Sequence, residues 1–366
     1  MDKKDRRLKI YVVGEEKNGW ALDTDARLAR EALSKFADVV CHPWKANFIH
    51  SVSPNSTYQI WRCKQFISLF PGNPHRLFAE EPKLLEFCKK SVCVAQSSEA
   101  KTILEGYGVK DVYQIPYIAD LHNFYYISDK EKLKKKYNIP ENKFIIGNFM
   151  RDTQVFDCKT LKPEKGPDIF CDVVSLAMNN IGKDNLLILL AGPRRMWIRN
   201  RLQELGIPYQ YIGVEKPDGQ DDWSENFLKA SKINELINIC DLIIVSSRSE
   251  GGPRVIMEAA SSRVPIISTR VGIAQDILEE CCIYDNIEQG VRIVEKHYKN
   301  NFLGNTIESH YNRVHNNYSV DAVSKMYEEL YSKLKEHPVS HLFMITICFR
   351  VLKCGMIKRI KSIIGG

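Results

Sequence analysis

The chain has 366 residues, of which 44% are hydrophobic and 27% charged, and its formal net charge is +7. This length exceeds what one hydrophobic core usually serves, so we expect two domains of an ordinary globular protein. The modest positive charge suits an anionic ligand or a membrane surface, and by itself it does not indicate a nucleic-acid-binding protein. The eleven cysteines include no C-x-x-C pair, which is typical of reduced thiols in a cytosolic protein.

Neither a secretory signal nor a membrane-spanning helix is predicted. The N-terminal sequence MDKKDRRLK is charged, and no apolar run of signal type follows it. No apolar stretch of about 20 residues occurs, which is the length that a spanning helix needs. We therefore expect a cytoplasmic protein.

The first domain, predicted over residues 1–125, alternates short apolar segments with helical patterns. This alternation favours a parallel α/β domain. Strands are predicted at 8–13, 39–41, 48–52, 66–70, 92–95 and 112–115, and helices at 23–36, 77–88 and 98–106. A charged run at 129–136 then lies within a predicted linker, 126–142.

The second domain, predicted over 143–317, contains the most informative stretch of the chain, residues 241–278. Leu242 to Val245 is an apolar run that predicts a buried strand, and a loop of serines and glycines follows it. Pro253 stands where a helix would begin, and the helix predicted at 254–262 leads to a second strand at 264–268. A strand, a helix and a strand within 30 residues predict a βαβ unit.

Two carboxylates mark this unit, Glu250 in the loop and Glu258 in the helix. Eight residues of helical rise span about 12 Å. The helix N-terminus between them favours an anion, and a carboxylate can accept two hydrogen bonds from a vicinal diol. The pattern therefore predicts a nucleotide-sugar site, with the hexose at one end, the diphosphate in the middle and the ribose at the other end.

The same stretch resembles the E-x7-E signature of the retaining glycosyltransferases of family 4. The matching segments are Glu250-Gly251-Gly252, Val255 to Ala260, 264–268 and Val271-Gly272. Pro253 stands at the family's usual second glycine, and Arg254 at an apolar position. The resemblance implies a GT-B fold, in which two Rossmann-like parallel-sheet domains face a cleft. It also implies a C-terminal helix, here 318–336, that crosses back to the first domain.

The resemblance implies further site residues. Lys165, in a Lys-Gly pair that opens a helix, and Arg151, after the first strand of the second domain, are expected to hold the leaving diphosphate. His50, at the end of a first-domain strand, is the candidate for the family's sugar-side histidine. The expected catalytic residues are Glu250, Lys165, Arg151 and His50, and the expected donor-binding residues are Glu258, Gly251, Gly252, Pro253, Arg254, Val255, Gly192 and Arg194.

The resemblance implies an enzyme that needs no metal and no cofactor beyond its donor substrate, and no convincing His/Cys ligand spacing is visible. The predicted reaction transfers a hexose-type sugar, with retention, from a nucleotide-diphosphate sugar to a glycan or lipid-linked glycan acceptor, in cell-surface polysaccharide or glycolipid synthesis. Two alternatives stay open. One is a nucleotide-sugar epimerase on the same fold, and the other is a catalytically silent glycosyltransferase-like partner subunit.

The last segment, 337–366, has a different composition. Within 340–364 an apolar block is followed by lysines and arginines interleaved with isoleucines. This pattern predicts a basic amphipathic tail that attaches to an anionic membrane surface, which for a cytoplasmic protein is the inner face. The alternative is a helix packed on the body of the protein.

Overall fold

The computed structural model describes residues 7–16, 19, 21–53, 65–70, 72–89, 91–217 and 219–336. The chain divides into two compact units: one runs to Ile118 and resumes at Tyr318, and the other is Ala119–Asn317. The predicted tail, 337–366, lies outside the described residues. Among the helices of the described residues, none combines the length and the apolar character that crossing a membrane requires.

The first unit contains a parallel six-stranded sheet in the order β2-β1-β3-β4-β5-β6. Its strands are β1 (Leu8–Val13), β2 (Ala37–Val39), β3 (Phe48–Ser51), β4 (Gln65–Phe70), β5 (Val92–Ala95) and β6 (Val112–Gln114). Its first helices are α1 (Ala21–Ser34), α2 (Pro74–Glu80), α3 (Pro82–Cys88) and α4 (Ser98–Gly106).

The region predicted as one helix, 77–88, forms two. Asn73 caps α2 by accepting a hydrogen bond from the backbone of His75 at 3.0 Å, so the helix begins earlier than predicted. It ends at Glu80 because the next helix begins with Pro82, which has no backbone N–H to continue the hydrogen-bond ladder.

The second unit contains a parallel six-stranded sheet in the order β12-β11-β10-β7-β8-β9. Its strands are β7 (Phe144–Asn148), β8 (Leu186–Ala191), β9 (Tyr209–Ile212), β10 (Leu242–Val245), β11 (Ile266–Thr269) and β12 (Ile283–Tyr284). Its helices are α5 (Lys130–Lys136), α6 (Pro167–Ile181), α7 (Met196–Glu204), α8 (Trp223–Asn226), α9 (Ala230–Ile239), α10 (Arg254–Ser261), α11 (Ala274–Ile277), α12 (Ile287–Asn300) and α13 (Ile307–Asn317).

The segment predicted as a linker belongs to the second unit. Lys130, at the start of α5, forms an ion pair with Asp241 at 2.6 Å. Just before α5, the backbone N–H of Ile127 donates to the side chain of Asn238 at 2.8 Å. These contacts hold the segment against α9 and the start of β10.

The last described helix, α14 (Val320–Glu336), belongs to the first unit. It buries Val323, Tyr327, Leu330 and Tyr331 in the same hydrophobic cluster as strand and helix residues of that unit. The hydroxyl of Ser324 donates to a carbonyl of α1 at 2.7 Å. The chain therefore returns to the first unit after completing the second.

Candidate active site

The second sheet has a topological switch point between β7 and β10. The chain proceeds from β7 outward through β8 and β9, and then returns to the other side of β7 with β10. In parallel α/β sheets, ligands bind in the crevice outside the carboxyl ends of the strands at such a point. Lys165 lies on the segment that follows β7, and Glu250 lies on the loop that follows β10.

Lys165 and Glu250 form an ion pair at this point. The Lys165 ammonium donates to Oε1 of Glu250, which also accepts from the hydroxyl of Ser247 at 2.9 Å. The side chains of the lysine and the glutamate are only 21% and 13% exposed. A cation and an acid are therefore already positioned together at the switch point.

Glycine conformation brings the two loops this close. Gly166, directly after Lys165, has a φ of +57°, in the left-handed region that suits glycine. A Cβ at this position would overlap the carbonyl oxygen of Ser246. The loops are also joined by backbone hydrogen bonds to the carbonyl of Glu164 from Arg248 at 3.0 Å and from Ser249 at 3.3 Å.

A third loop supports the Glu250 loop from its other side. The hydroxyl of Thr269, at the end of β11, donates to the carbonyl of Ser247 at 2.5 Å. Gly272 has a φ of +51°, and a Cβ there would overlap the carbonyl oxygen of Gly251. Three loops at the carboxyl edge of the sheet thus fix the backbone around Glu250.

The helix α10 begins directly after this loop. Pro253 precedes it and no side chain caps its N-terminus, so backbone N–H groups of its first turn can bind an anion. Glu258 lies farther along the helix and is partly buried. Burial raises the pKa of Glu258 to about 7; the charge of Arg254 opposes this shift, and that of Asp120 adds to it.

Five further predicted donor-binding residues lie at the same edge of the sheet. Gly251, Pro253 and Val255 are buried, whereas Gly252 and Arg254 are partly buried. All five lie on the loop after β10 or in the first turn of α10.

Arg194, after β8, holds its guanidinium against the protein. It forms a two-bond ion pair with Asp221, at 3.0 and 2.8 Å, and lies over the ring of Trp223. Gly192 accepts a hydrogen bond through its carbonyl from the hydroxyl of Tyr211 at 2.9 Å. Arg151 is partly buried on the loop after β7. The structure thus brings Lys165, Glu250 and the start of α10 together. Arg194 is instead paired with Asp221.

Residues 224–296 match the family model described as glycosyl transferases group 1. This segment contains β10, the Glu250 loop and α10, whereas Lys165 lies outside it. Over this segment the chain is similar to group 1 glycosyltransferases, and its fold is GT-B.

One relative and several solved structures are also similar to this chain. The chain is 22% identical over 208 residues to D-inositol 3-phosphate glycosyltransferase of Corynebacterium jeikeium. The match covers 53% of this chain and 46% of that protein. The chain therefore matches about half the length of that relative. Its fold is similar to that of Anabaena HepE in complex with UDP and glucose, with a TM-score of 0.69, 14% identity, and 89% of this chain and 100% of that one covered. Sucrose-phosphate synthase of Thermosynechococcus elongatus gives a TM-score of 0.61 at 14% identity, with 88% of this chain and 80% of that one covered.

Two buried charged residues after the strands β8 and β7, Arg195 and Asp152, were not predicted from the sequence. Arg195 is almost fully buried, and its guanidinium donates to the carbonyl oxygen and to the side-chain oxygen of Asn148, at the end of β7, at 3.0 and 2.6 Å. Asp152 accepts from the backbone of Ile198 at 2.7 Å, which satisfies an N–H in the first turn of α7. Burial raises the pKa of Asp152 to about 6, and the charge of Arg195 opposes this shift. The sequence signal that could have indicated these residues is the presence of charged side chains shortly after the apolar strands β7 and β8.

His50 lies in the first unit and not at its surface. The side chain is 0% exposed, and burial lowers the pKa of His50 to about 3, so the imidazole is neutral. Its Nδ1 is hydrogen-bonded to the hydroxyl of Tyr331 at 2.9 Å, and its ring packs edge-on against Tyr327. In this structure His50 therefore faces the α14 side of the core, because its place on β3 turns the side chain toward that helix. The sugar-side role of His50 stays a prediction.

Proposed function

We propose that the chain is a retaining, metal-independent glycosyltransferase that moves a hexose from a nucleoside-diphosphate sugar to a glycan or lipid-linked glycan. The observation that carries this proposal is the Lys165–Glu250 ion pair beside the uncapped N-terminus of α10. A cation and the N–H groups at the start of a helix suit the diphosphate, and the flanking acids suit the sugar and the ribose.

The chemistry would be electrostatic and positional. The bond between the anomeric carbon and the phosphate oxygen breaks, and Lys165 and the α10 N–H groups stabilise the negative charge that develops on the leaving diphosphate. The acceptor hydroxyl attacks from the face that the diphosphate leaves, so the configuration is retained. Its proton passes to a phosphate oxygen of the leaving group. Glu250 would orient the hexose hydroxyls, and Glu258 would accept from the ribose diol.

Uridine is the base to test first. Complexes of the similarly folded HepE contain UDP and UDP-glucose. Donor binding should therefore be compared between UDP-glucose, UDP-linked sugars with other hexoses, and glucose linked to other nucleoside diphosphates. A ligand at 100 times its dissociation constant stabilises the folded chain by about 2.7 kcal/mol, which a thermal-shift measurement resolves.

The decisive experiment follows transfer directly. The full chain is incubated with the stabilising donor and short glycan or lipid-linked glycan acceptors, and the anomeric configuration of the product is read by NMR. Retention in the product, with unchanged turnover on adding Mg²⁺ or Mn²⁺, is the expected result. A donor that changes sugar configuration without any acceptor would instead indicate an epimerase, and binding without turnover on any acceptor would indicate a silent subunit.

The acceptor proposal rests on the composition of residues 340–364. Each lysine or arginine near an anionic surface contributes about 1 kcal/mol, in addition to the burial of the apolar side chains. A cytoplasmic enzyme held in this way would meet a lipid-linked acceptor at the inner face of the membrane. Flotation with anionic liposomes should separate the full chain, which floats at low salt, from a chain ending at Glu336, which does not. Equal flotation of the two chains would refute the proposed attachment of the tail to the membrane.

A further inference from the structure

Three side chains with metal-binding atoms converge in the second unit, and none of them belongs to the Lys165–Glu250 pair. Glu279 and Cys282 lie on the segment between α11 and β12, and His310 lies on α13. The histidine is 31 residues from the glutamate and 28 from the cysteine. Such separations do not form a ligand-spacing pattern in the sequence, and the fold alone brings the three together.

The three donor atoms have the separations that one small ion requires. A carboxylate oxygen of Glu279, Sγ of Cys282 and Nε2 of His310 all lie within 4.8 Å of one another. Sγ and Nε2 are 3.9 Å apart. Zinc bonds of about 2.3 Å to sulfur and about 2.0 Å to nitrogen set the corresponding edge of a tetrahedron at roughly 3.6 Å. A small adjustment of side chains would therefore let one ion contact all three.

His310 presents its ring nitrogen Nε2 to both Glu279 and Cys282. Its Nε2 accepts from the backbone N–H of Glu279 at 3.3 Å, and the same nitrogen contacts Oε2 of that carboxylate. The other carboxylate oxygen, Oε1, accepts from Ser309 and lies 3.3 Å from Arg313, so the carboxylate is held in place from outside the cluster. Two acceptor atoms that face each other need a proton or a cation between them.

Burial and charge favour a divalent cation of intermediate softness. Cys282 is 0% exposed and His310 is 2% exposed, so water competes little for these positions. A thiolate, a carboxylate and a neutral imidazole together carry two negative charges. Sulfur, nitrogen and oxygen ligands in one tetrahedral site suit Zn²⁺ better than Mg²⁺ or Ca²⁺, which prefer oxygen alone.

We propose that Glu279, Cys282 and His310 bind one zinc ion as its three protein ligands, with water in the fourth position. Burial raises the pKa of the Cys282 thiol to about 12, so binding displaces the thiol proton to solvent as the sulfur–zinc bond forms. The ion would join α13 to the segment after α11. Because α13 also packs against α10, the site would stiffen the support of the donor-binding helix. This inference does not rest on glycosyl transfer.

The test uses the full chain, stripped of metal with a chelator and then titrated with Zn²⁺ or Co²⁺. One ion per chain is expected, and the Co²⁺ form should show thiolate-to-metal charge-transfer absorption in the near ultraviolet. Cys282→Ser and His310→Gln should each weaken binding by at least about tenfold and remove or reduce that absorption. Cys281→Ser is the matched control, because it alters the neighbouring, exposed thiol and keeps all three ligands.

Three results would overturn the proposal. They are less than one ion per chain at saturating Zn²⁺, Co²⁺ binding without thiolate absorption, and loss of the ion from Cys281→Ser but not from Cys282→Ser. If Cys282→Ser does not fold, the Co²⁺ spectrum of the unsubstituted chain still decides, since it reports sulfur ligation directly. Zinc binding without donor binding would separate this site from the glycosyltransferase proposal.

Discussion

The ammonium of Lys165 is paired with the carboxylate of Glu250, although the two residues are 85 positions apart in the chain. The pair exists because β7 and β10 are neighbours in the sheet, so that the segments following their carboxyl ends meet. Both side chains belong to the site proposed for the donor. A bound donor would therefore compete with this ion pair: its phosphates would compete with Glu250 for Lys165, and its hydroxyls would compete with Lys165 for Glu250.

Replacing Lys165 with alanine should lower turnover by roughly 10²–10³, because a cation that stabilises the leaving diphosphate is lost. The measurement is turnover at saturating donor. Lys183→Ala is the control, since this exposed lysine lies just before β8, at the opposite end of the strands. Unchanged turnover in Lys165→Ala would show that another cation, such as Arg151, Arg194 or Arg254, takes this role.

The two glutamates should separate nucleotide binding from sugar binding. Glu258→Ala should weaken binding of bare UDP, by about 1.5–3 kcal/mol if a charge-assisted hydrogen bond to the ribose is lost. Glu250→Ala should weaken binding of the complete donor only, because it removes the sugar contact and releases Lys165 toward the phosphates. Isothermal titration with UDP and with UDP-glucose measures both effects. If Glu258→Ala binds UDP as the unsubstituted chain does, the ribose assignment is wrong.

The raised pKa of Glu258 predicts a pH-dependent stability. Its value moves from 4.5 to about 7 on folding, so between these values the folded chain holds a proton that the unfolded chain has lost. The contribution of Glu258 is therefore complete below pH 4.5 and is lost as the pH rises through 7. Glu258→Gln, which stays neutral, should become more stable than the unsubstituted chain as the pH rises from 5 to 8.

Urea unfolding of the ligand-free chain at each pH measures this difference. Glu204→Gln, at an exposed position on α7, is the control for a glutamate-to-glutamine change at the surface. A constant difference in Glu258→Gln would mean that the carboxylate is charged throughout, with the positive charge of Arg254 outweighing burial.

Local sequence patterns predicted the helices and strands of the second unit correctly where apolar periodicity is strong. The contacts within its site depend on how distant segments meet in the sheet. The helix predicted at 254–262 is α10 (Arg254–Ser261), and the strand predicted at 264–268 is β11 (Ile266–Thr269), because apolar periodicity is strong there. The Arg194–Asp221 ion pair could not be predicted, since it joins the end of β8 to a loop before α8. The orientation of His50 was equally hidden, because both faces of a parallel sheet are apolar and alternation does not distinguish them.

The hydroxyl of Tyr331 should stabilise the first unit through His50. Tyr331→Phe leaves Nδ1 of the buried imidazole without its partner, which costs about 1–3 kcal/mol of unfolding free energy. Chemical denaturation measures this cost, with Tyr126→Phe as the control, since Tyr126 is 52% exposed. Donor affinity of the folded variant should be unchanged if His50 has a structural role. A large loss of turnover with unaltered stability would instead restore His50 as a sugar-side residue.

Gly272 should determine the position of the Glu250 loop, and an alanine there should weaken donor binding. The added Cβ would overlap the carbonyl of Gly251, so the loop must move, and the left-handed backbone adds about 1 kcal/mol of strain for a non-glycine residue. Gly206→Ala is the matched control. Its φ is +65°, which imposes similar strain, but the nearest atom to its added Cβ is the flexible end of Lys183 at 3.7 Å. Both variants should lose similar stability from strain, and only Gly272→Ala should also lose donor affinity, as measured by isothermal titration. Equal affinity in the two variants would mean that the loop position does not govern donor binding.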